Sequence, residues 1–212
     1  MEPILKEIYQ NILDGQHNQI AAKVQLALEK GITPKVILED GMIAAMAEVG
    51  RLFEAGEFYV PEMLISARAM QTGLAVLKPH LKETNVQAAG KVAIGTVKGD
   101  LHDIGKNLVA MILEGAGFEV LDLGTDVSAD KFVAAADSVD VIALSGLLTT
   151  TIPGMKTVIE LLQSSGKRAK VKVIIGGAPV TETFAKQIGA DGYAPNASRA
   201  VTITKALLDH NK

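Results

Sequence analysis

Gly99-Asp100-Leu101-His102-Asp103-Ile104-Gly105-Lys106-Asn107 joins two apolar runs of different character. Before it stands Val92 to Val97, an unbroken strand-like stretch. After it, from about Lys106, the apolar spacing is helical. The segment therefore reads as a strand-to-helix loop. A histidine on such a loop, two residues after an aspartate, is well placed to ligate a metal. The aspartate can hold the opposite ring nitrogen and fix the tautomer. Gly99 and Gly105 let the backbone come close to something large and flat. The combination points to a bound metallocofactor rather than a free ion.

Working outward toward the C-terminus, strand and helix signals alternate from Lys91 onward. Apolar strand runs are Val92–Val97, Val120–Leu123, Val141–Leu144 and Val171–Ile175, with a short fifth near Gly192–Ala194. Helical segments are expected near 106–115, 129–137, 154–165, 181–188 and 198–209. Near-continuous apolar strands in a β-α alternation predict a parallel sheet covered on both faces. Five such strands suggest a flavodoxin-like (Rossmann-type), doubly wound α/β fold. Folds of this kind bind ligands outside the carboxyl ends of the strands. The loops Lys98–Gly105, Ser145–Thr151 and Gly176–Pro179 would lie there.

Toward the N-terminus, residues 1–82 read as helices. Ile4, Leu5, Ile8 and Ile12 fall at helical spacing, as do Ile20, Val24 and Leu28 before the stop Lys30-Gly31. Thr33-Pro34 is an N-cap followed by proline at the first helical position. A long pattern then runs from Val36 through Ile37, Met42, Met46 and Val49 to Phe53. Pro61 opens a fourth helix, with Met63, Leu64, Ala67, Met70, Leu74 and Leu77 inward. Short joints make a four-helix bundle the natural packing. The methionines are read as core fillers rather than a metal box. Polar, small-residue-rich 83–90 reads as a linker to a second domain over 91–212.

Composition narrows the function classes. The 212-residue chain has 21 basic and 24 acidic residues, so no polyanion partner is implied. It has no cysteine, which excludes disulfides, thiolate metal sites and a thiol nucleophile. Aromatic residues are scarce and tryptophan is absent, which argues against stacking on nucleic-acid bases. Met1-Glu2-Pro3 does not open a signal peptide, and no apolar run reaches the length of a membrane span. A cytoplasmic protein with no nucleic-acid or membrane partner is the expectation.

Three loops at one sheet edge carry unusual residues: Asp100-x-His102-x-x-Gly105, then Ser145-Gly146-Leu147 continuing through Leu148 to Thr151, then Gly176-Gly177. Each alone is ordinary. Their order, with separations of about forty and just under thirty residues, is far more specific. The set resembles the vitamin B12-binding signature. The helical half, with Arg51-Leu52-Phe53-Glu54-Ala55-Gly56-Glu57-Phe58-Tyr59-Val60-Pro61, is similar to the cap of cobalamin-dependent methionine synthase and of small corrinoid methyl-carrier proteins. Asn196-Ala197-Ser198-Arg199 also looks like the methionine synthase pattern.

The resemblance implies a role for each matching residue. His102 would be the axial cobalt ligand, displacing the cofactor's own dimethylbenzimidazole. Asp100 would accept the other imidazole N–H. Thr151 would complete this relay where methionine synthase has serine. Gly99, Leu101, Asp103, Ile104 and Gly105 complete the loop beneath the corrin. Ser145 would hydrogen-bond the displaced base, and Thr149 would sit near the corrin or its tail. Leu147, Gly176 and Gly177 would line the slot for the nucleotide tail, with Ala197 beside it. In the cap, Phe53 and Val60 would shield the upper cobalt face, and Glu39 would contact a corrin amide.

The implied cofactor is cobalamin or a related corrinoid, moving between cob(I)alamin and methylcob(III)alamin. An axial histidine with a carboxylate partner suits that cycle, because the released ring can take up a proton. The corrin does the hard chemistry, and the protein supplies position, tuning and exclusion. The implied role is a corrinoid methyl carrier, not an independent enzyme. It would serve a methanol, methylamine or aryl methyl ether methyltransferase system. Partners would be a substrate:corrinoid methyltransferase, a corrinoid:folate or corrinoid:thiol methyltransferase and a reductive activating protein.

Alternatives are a cobalamin-binding subunit of an adenosylcobalamin mutase, which would not need the helical cap with Phe53, and a B12-dependent sensor. A sensor would normally carry a basic DNA-binding segment, and none is present. A flavin carrier would not need His102. Taken singly, His102 would read as a capping or core histidine, and Phe53 and Val60 as core. Asp122, Asp126 and Asp130 are read as a strand end and a helix start rather than an ion site.

Overall fold

The computed structural model describes residues 2–84 and 88–209. The chain divides into two compact units. One takes in the helices through Ala88 together with Glu114–Gly117; the other begins at Ala89 and holds the sheet. Of the expected linker 83–90, Glu83 is the last residue of a helix, and 85–87 lie outside the described residues.

The helical unit contains α1 (Pro3–Leu13), α2 (His17–Glu29), α3 (Pro34–Val36), a π-helical segment (Ile37–Ile43), α4 (Ala44–Glu54) and α5 (Val60–Glu83). Segments α3, π and α4 are continuous and act as one helix, so the unit is a bundle of four. The apolar stripes do what their spacing requires. Ile4, Leu5, Ile8 and Ile12 of α1 and Ile20 and Val24 of α2 are buried. The Thr33 hydroxyl accepts the Val36 N–H at 3.4 Å, with Pro34 at the first helical position.

Two features depart from the simple pattern. The third helix is widened over Ile37–Ile43, where an uninterrupted α-helix is predicted. Hydrogen bonds from i to i+5 bring residues five apart to one side. Ile37 and Met42, five apart, are both fully buried. In α5, Met63, Ala67, Met70, Leu74 and Leu77 face inward as expected, but Leu64 is 38% exposed. Its expected place is taken by Ser66, which is fully buried and donates to the Leu13 carbonyl at 3.3 Å.

The second unit is a parallel five-stranded sheet, β1 (Lys91–Thr96), β2 (Glu119–Asp122), β3 (Val141–Ser145), β4 (Lys172–Gly176) and β5 (Gly192–Ala194), ordered β2-β1-β3-β4-β5. Between and after the strands run α6 (Ile104–Gly115), α7 (Ala129–Ala135), α8 (Pro153–Ser164), α9 (Glu182–Ile188) and α10 (Ala197–Asp209). Both faces of the central strands are buried. Ala93, Ile142, Val173 and Ile175 join one core with Phe132 and Leu162 of α7 and α8. Val92, Ile94, Val141 and Ile174 are buried as well. The exception is β2. Its apolar run predicts a buried strand, yet it lies at the sheet edge with Leu121 45% exposed.

The strand order creates the functional edge. From β1 the chain steps outward to β2, then returns to the other side of β1 as β3. Loops leaving β1 and β3 therefore diverge at their carboxyl ends, and that crevice is where doubly wound folds take ligands. The register aligns Thr96, Ser145, Gly176 and Ala194 in one row across β1, β3, β4 and β5. No helix among the described residues is long and apolar enough to cross a membrane.

Candidate functional site

The crevice between the β1 and β3 loops is organised around one carboxylate. Asp100 is fully buried, and every atom it offers is engaged. Its Oδ1 accepts the His102 backbone N–H at 3.0 Å and lies 2.7 Å from His102 Nδ1. Its Oδ2 accepts the Leu147 N–H at 2.7 Å and the Leu148 N–H at 3.3 Å, and it lies 2.8 Å from the Thr151 hydroxyl. Thr151 Oγ1 is also 2.9 Å from the Leu148 carbonyl, so its single proton is shared between two acceptors. Burial by itself raises the Asp100 pKa. The amides of Leu147 and His102, the imidazole and the Thr151 hydroxyl outweigh it and hold the carboxyl well below the usual carboxylate range.

An ionised Asp100 fixes the histidine. Nδ1 carries the proton that faces the carboxylate, which leaves the lone pair on Nε2. The His102 side chain is about half exposed, while its partner is wholly enclosed. Around it stand exposed apolar side chains: Leu101, Ile104, Leu147 and Leu148. A half-exposed imidazole thus shares its loops with four exposed apolar side chains.

The loop is short because Gly99 takes a φ of +83°, a conformation costly for other residues, and lets the chain turn straight into the ligand segment. Asp103 accepts from Asn107, by its carbonyl to the amide at 2.7 Å and by its carboxylate to the side chain at 3.1 Å. That anchors the start of α6 one residue beyond His102. The Lys106 ammonium is buried and contacts Asp122 and Asn107, each at 2.6 Å.

The remaining expected residues are placed as follows. Ser145 ends β3, beside Thr96 and Gly176 in register. Thr149 is exposed in the same loop as Thr151. Gly176 and Gly177 have a reason of their own to be glycine. A Cβ on Gly176 would stand 2.8 Å from the Ala194 carbonyl oxygen, and one on Gly177, at φ +134°, would overlap the Gly146 carbonyl oxygen. Close packing of the neighbouring loop backbones already requires both, apart from any ligand slot. Ala197 is buried in the first turn of α10, which Asn196 caps by accepting the Arg199 N–H at 2.8 Å. Glu39, Phe53 and Val60 belong to the helical unit. Glu39 is exposed on the π-helical segment, 3.8 Å from Lys35. Phe53 is half-buried near the end of α4, and Val60 is 41% exposed where α5 begins. Structure thus joins Asp100, His102, Leu147 and Thr151 directly.

Two residues beyond the motif also grip the loop. The Thr96 hydroxyl, fully buried, donates to the His102 carbonyl at 2.8 Å. A lone hydroxyl inside the apolar run Val92–Val97 is the signal that marks it in the sequence. Asp126 accepts the Gly99 N–H at 2.7 Å and returns its own N–H to the Asp100 carbonyl at 3.0 Å. Nothing local marks it, since its partner lies 27 residues away. Of the acidic residues 122, 126 and 130, Asp122 meets the Lys106 ammonium and Asp126 the Gly99 N–H.

Two family models, both described as B12 binding domain, match this chain, at residues 4–78 and 90–202. Dimethylamine corrinoid protein 1 of Methanosarcina acetivorans is 46% identical over 211 residues, covering 98% of each chain. Among solved structures, the methanol:cobalamin methyltransferase complex MtaBC from Methanosarcina barkeri contains a chain that matches with a TM-score of 0.86 at 30% identity. That match covers 98% of this chain and 80% of that one. A cobalamin-binding protein from Desulfitobacterium hafniense matches with a TM-score of 0.79 at 31% identity, covering 95% and 97%. The likenesses run through both the helical unit and the sheet; the chain belongs to the family of B12-binding corrinoid proteins.

Proposed function

We propose that the protein is a methyl carrier, receiving a methyl group from a substrate:corrinoid methyltransferase and surrendering it to a second methyltransferase with a folate or thiol acceptor. The observation that carries this reading is the Asp100–His102 pair: an enclosed carboxylate 2.7 Å from one ring nitrogen of a half-exposed imidazole. The residues fit a corrinoid. The donor is an imidazole held through Nδ1 by a carboxylate, and imidazole is the commonest side-chain metal ligand. A Cβ built on Gly105 would meet nothing within 4 Å beyond its own helix and chain neighbours, so the loop leaves open space there.

A bound corrinoid supplies a cobalt centre that can accept and release a methyl group. The chain's own residues do the rest. His102 would present Nε2 to the cobalt, with Asp100 holding the ring in place through Nδ1. Thr151 and the amides of Leu147 and Leu148 hold the Asp100 carboxylate. Leu101, Ile104, Leu147 and Leu148 keep water from the donor face. Ser145, Thr149, Gly176, Gly177 and Ala197 are assigned to the cofactor's base and tail. Glu39, Phe53 and Val60 of the helical unit are assigned to its upper side. The exposed apolar surface of Val60 and the half-buried ring of Phe53 support that assignment. A reductive activating protein completes the set of partners. The relative named for dimethylamine supports a methylamine as the donor class.

The test is cobalt electron paramagnetic resonance of the corrinoid-loaded protein in its Co(II) state. Hyperfine splitting from a protein imidazole should change when histidine is labelled with nitrogen-15, and should vanish in His102→Ala. A spectrum insensitive to the label would remove His102 as the ligand. Methyl transfer is tested separately, with purified methylamine:corrinoid methyltransferase as donor; failure to accept methyl from any methylamine would redirect the donor class.

A further inference from the structure

We infer that Asp126, outside the B12-binding signature and on the loop after β2, is a positioning residue for the axial histidine. The inference rests on His102 being the cobalt ligand. Asp126 grips the ligand loop at two consecutive residues. Its carboxylate accepts the Gly99 N–H at 2.7 Å, and its own amide donates to the Asp100 carbonyl at 3.0 Å. It is the one residue other than glycine with positive φ among those described, at +52°. That conformation is uncommon for residues with a side chain, and aspartate is among the few that tolerate it. Here it turns the amide and the carboxylate of one residue toward the same strand of the ligand loop.

The chemistry gives this clamp a purpose. An axial ligand that must bind and leave cannot rely on the metal to hold its loop. Between Gly99 and His102 the loop has five fixed points. Asp126 holds the Gly99 N–H and the Asp100 carbonyl, the Val97 carbonyl holds the Asp100 N–H, the Asp100 carboxylate holds the His102 N–H, and Thr96 holds the His102 carbonyl. Two of the five belong to Asp126. The Asp100 side chain leaves the backbone between those two points, so their loss loosens the backbone on which the Asp100–His102 pair is mounted, while the carboxylate stays tied to the β3 loop. A preordered ligand loses little freedom when it binds. A loosened one must be reordered each time, which shifts the balance toward the uncoordinated form.

Backbone strain and side-chain grip separate cleanly by substitution. Asp126→Gly keeps φ +52° accessible and removes only the carboxylate; Asp126→Asn keeps an acceptor oxygen without the charge. Two measurements apply. In the apoprotein, amide hydrogen exchange at Gly99, read by NMR, should speed up about tenfold or more in Asp126→Gly, as expected for losing a bond to a charged acceptor. In the corrinoid-loaded Co(II) protein, the ratio of histidine-off to histidine-on cobalt should rise by a similar factor, about tenfold. Asp126→Asn should recover most of both. Gly99 exchange and a cobalt spectrum unchanged in Asp126→Gly would overturn the inference, as would an Asp126→Asn no better than Asp126→Gly. A wild-type cobalt spectrum without imidazole splitting would instead overturn the ligand assignment, and the apoprotein exchange would still report on the clamp.

Discussion

Replacing Asp100 by asparagine is the sharpest probe of the site, because the two side chains have nearly the same shape. An aspartate beside a histidine is often treated as interchangeable with an amide, which keeps a hydrogen-bonding group. The contacts here say otherwise. Asp100 meets donors on both oxygens: His102 N–H and Nδ1 on one side, Leu147 N–H, Leu148 N–H and Thr151 on the other. An amide has one acceptor oxygen. Whichever way it turns, its NH₂ faces at least one backbone N–H that now donates to Asp100. With the amide nitrogen toward His102, the backbone N–H loses its acceptor, and the imidazole must switch tautomer to accept at Nδ1. With it toward Leu147, two amides are stranded. Each such loss costs about 1–3 kcal/mol. The less damaging orientation therefore destabilises the α/β unit by about 2–3 kcal/mol, with a fall in its midpoint temperature of about 10 °C. Urea unfolding of the apoprotein, followed through NMR signals of Gly99 and Leu147, reads this unit separately from the helical one. The nitrogen-15 shift of His102 Nδ1 reports the tautomer in the same sample. A variant within about 0.5 kcal/mol of wild type, the range of an ordinary surface change, would refute the reasoning.

Further outcomes follow from the same geometry. Thr151→Val should cost about 1 kcal/mol, the value of one hydrogen bond, and Thr151→Ser should avoid that loss in the same urea titration; a loss in Thr151→Ser with none in Thr151→Val would mean that the methyl group, not the hydroxyl, matters. Gly177→Ala should prevent normal folding of the sheet unit, since its methyl would overlap the Gly146 carbonyl, whereas Gly105→Ala should leave apoprotein stability unchanged or higher by about 0.5–1 kcal/mol yet weaken corrinoid uptake. Unfolding midpoints with a corrinoid titration separate the two, and a stable Gly177→Ala would contradict the packing. The depressed Asp100 pKa means that the unfolded chain takes up this proton at higher pH than the folded one. Its stabilisation is complete above the unfolded value of about 3.9 and is lost as pH falls toward the folded value. Stability measured from about pH 5 downward should therefore drop more steeply in wild type than in Asp100→Asn, and parallel curves would show that Asp100 is not the group responsible.

The sequence by itself determined the architecture and the pairing of His102 with Asp100. Strand and helix periods are local properties, so Val92–Val97 and Val141–Leu144 announce buried strands, and Ile4 to Ile12 an amphipathic helix, without reference to anything distant. The signature around His102 is legible for the same reason: imidazole and carboxylate lie two residues apart on one loop. Even the Thr33 cap and the break after Glu54 are written in neighbouring residues. Tertiary structure decided what depends on contacts between distant segments. Whether β2 is a central or an edge strand follows from the order of strands, which puts Leu121 at the margin despite an apolar run. Leu64 turns outward and Ser66 inward because of what α1 presents to α5. Asp100 needs a carboxylate rather than an amide because the backbone of Leu147 and Leu148, 47 and 48 residues away, brings two more donors to it. Asp126 reaches Gly99 across 27 residues, with no spacing rule that links them. Periodicity records which face of an element is buried. It does not record which loop will lie beside which, and in this protein the fixing of the histidine is a property of three loops that meet only at the sheet edge.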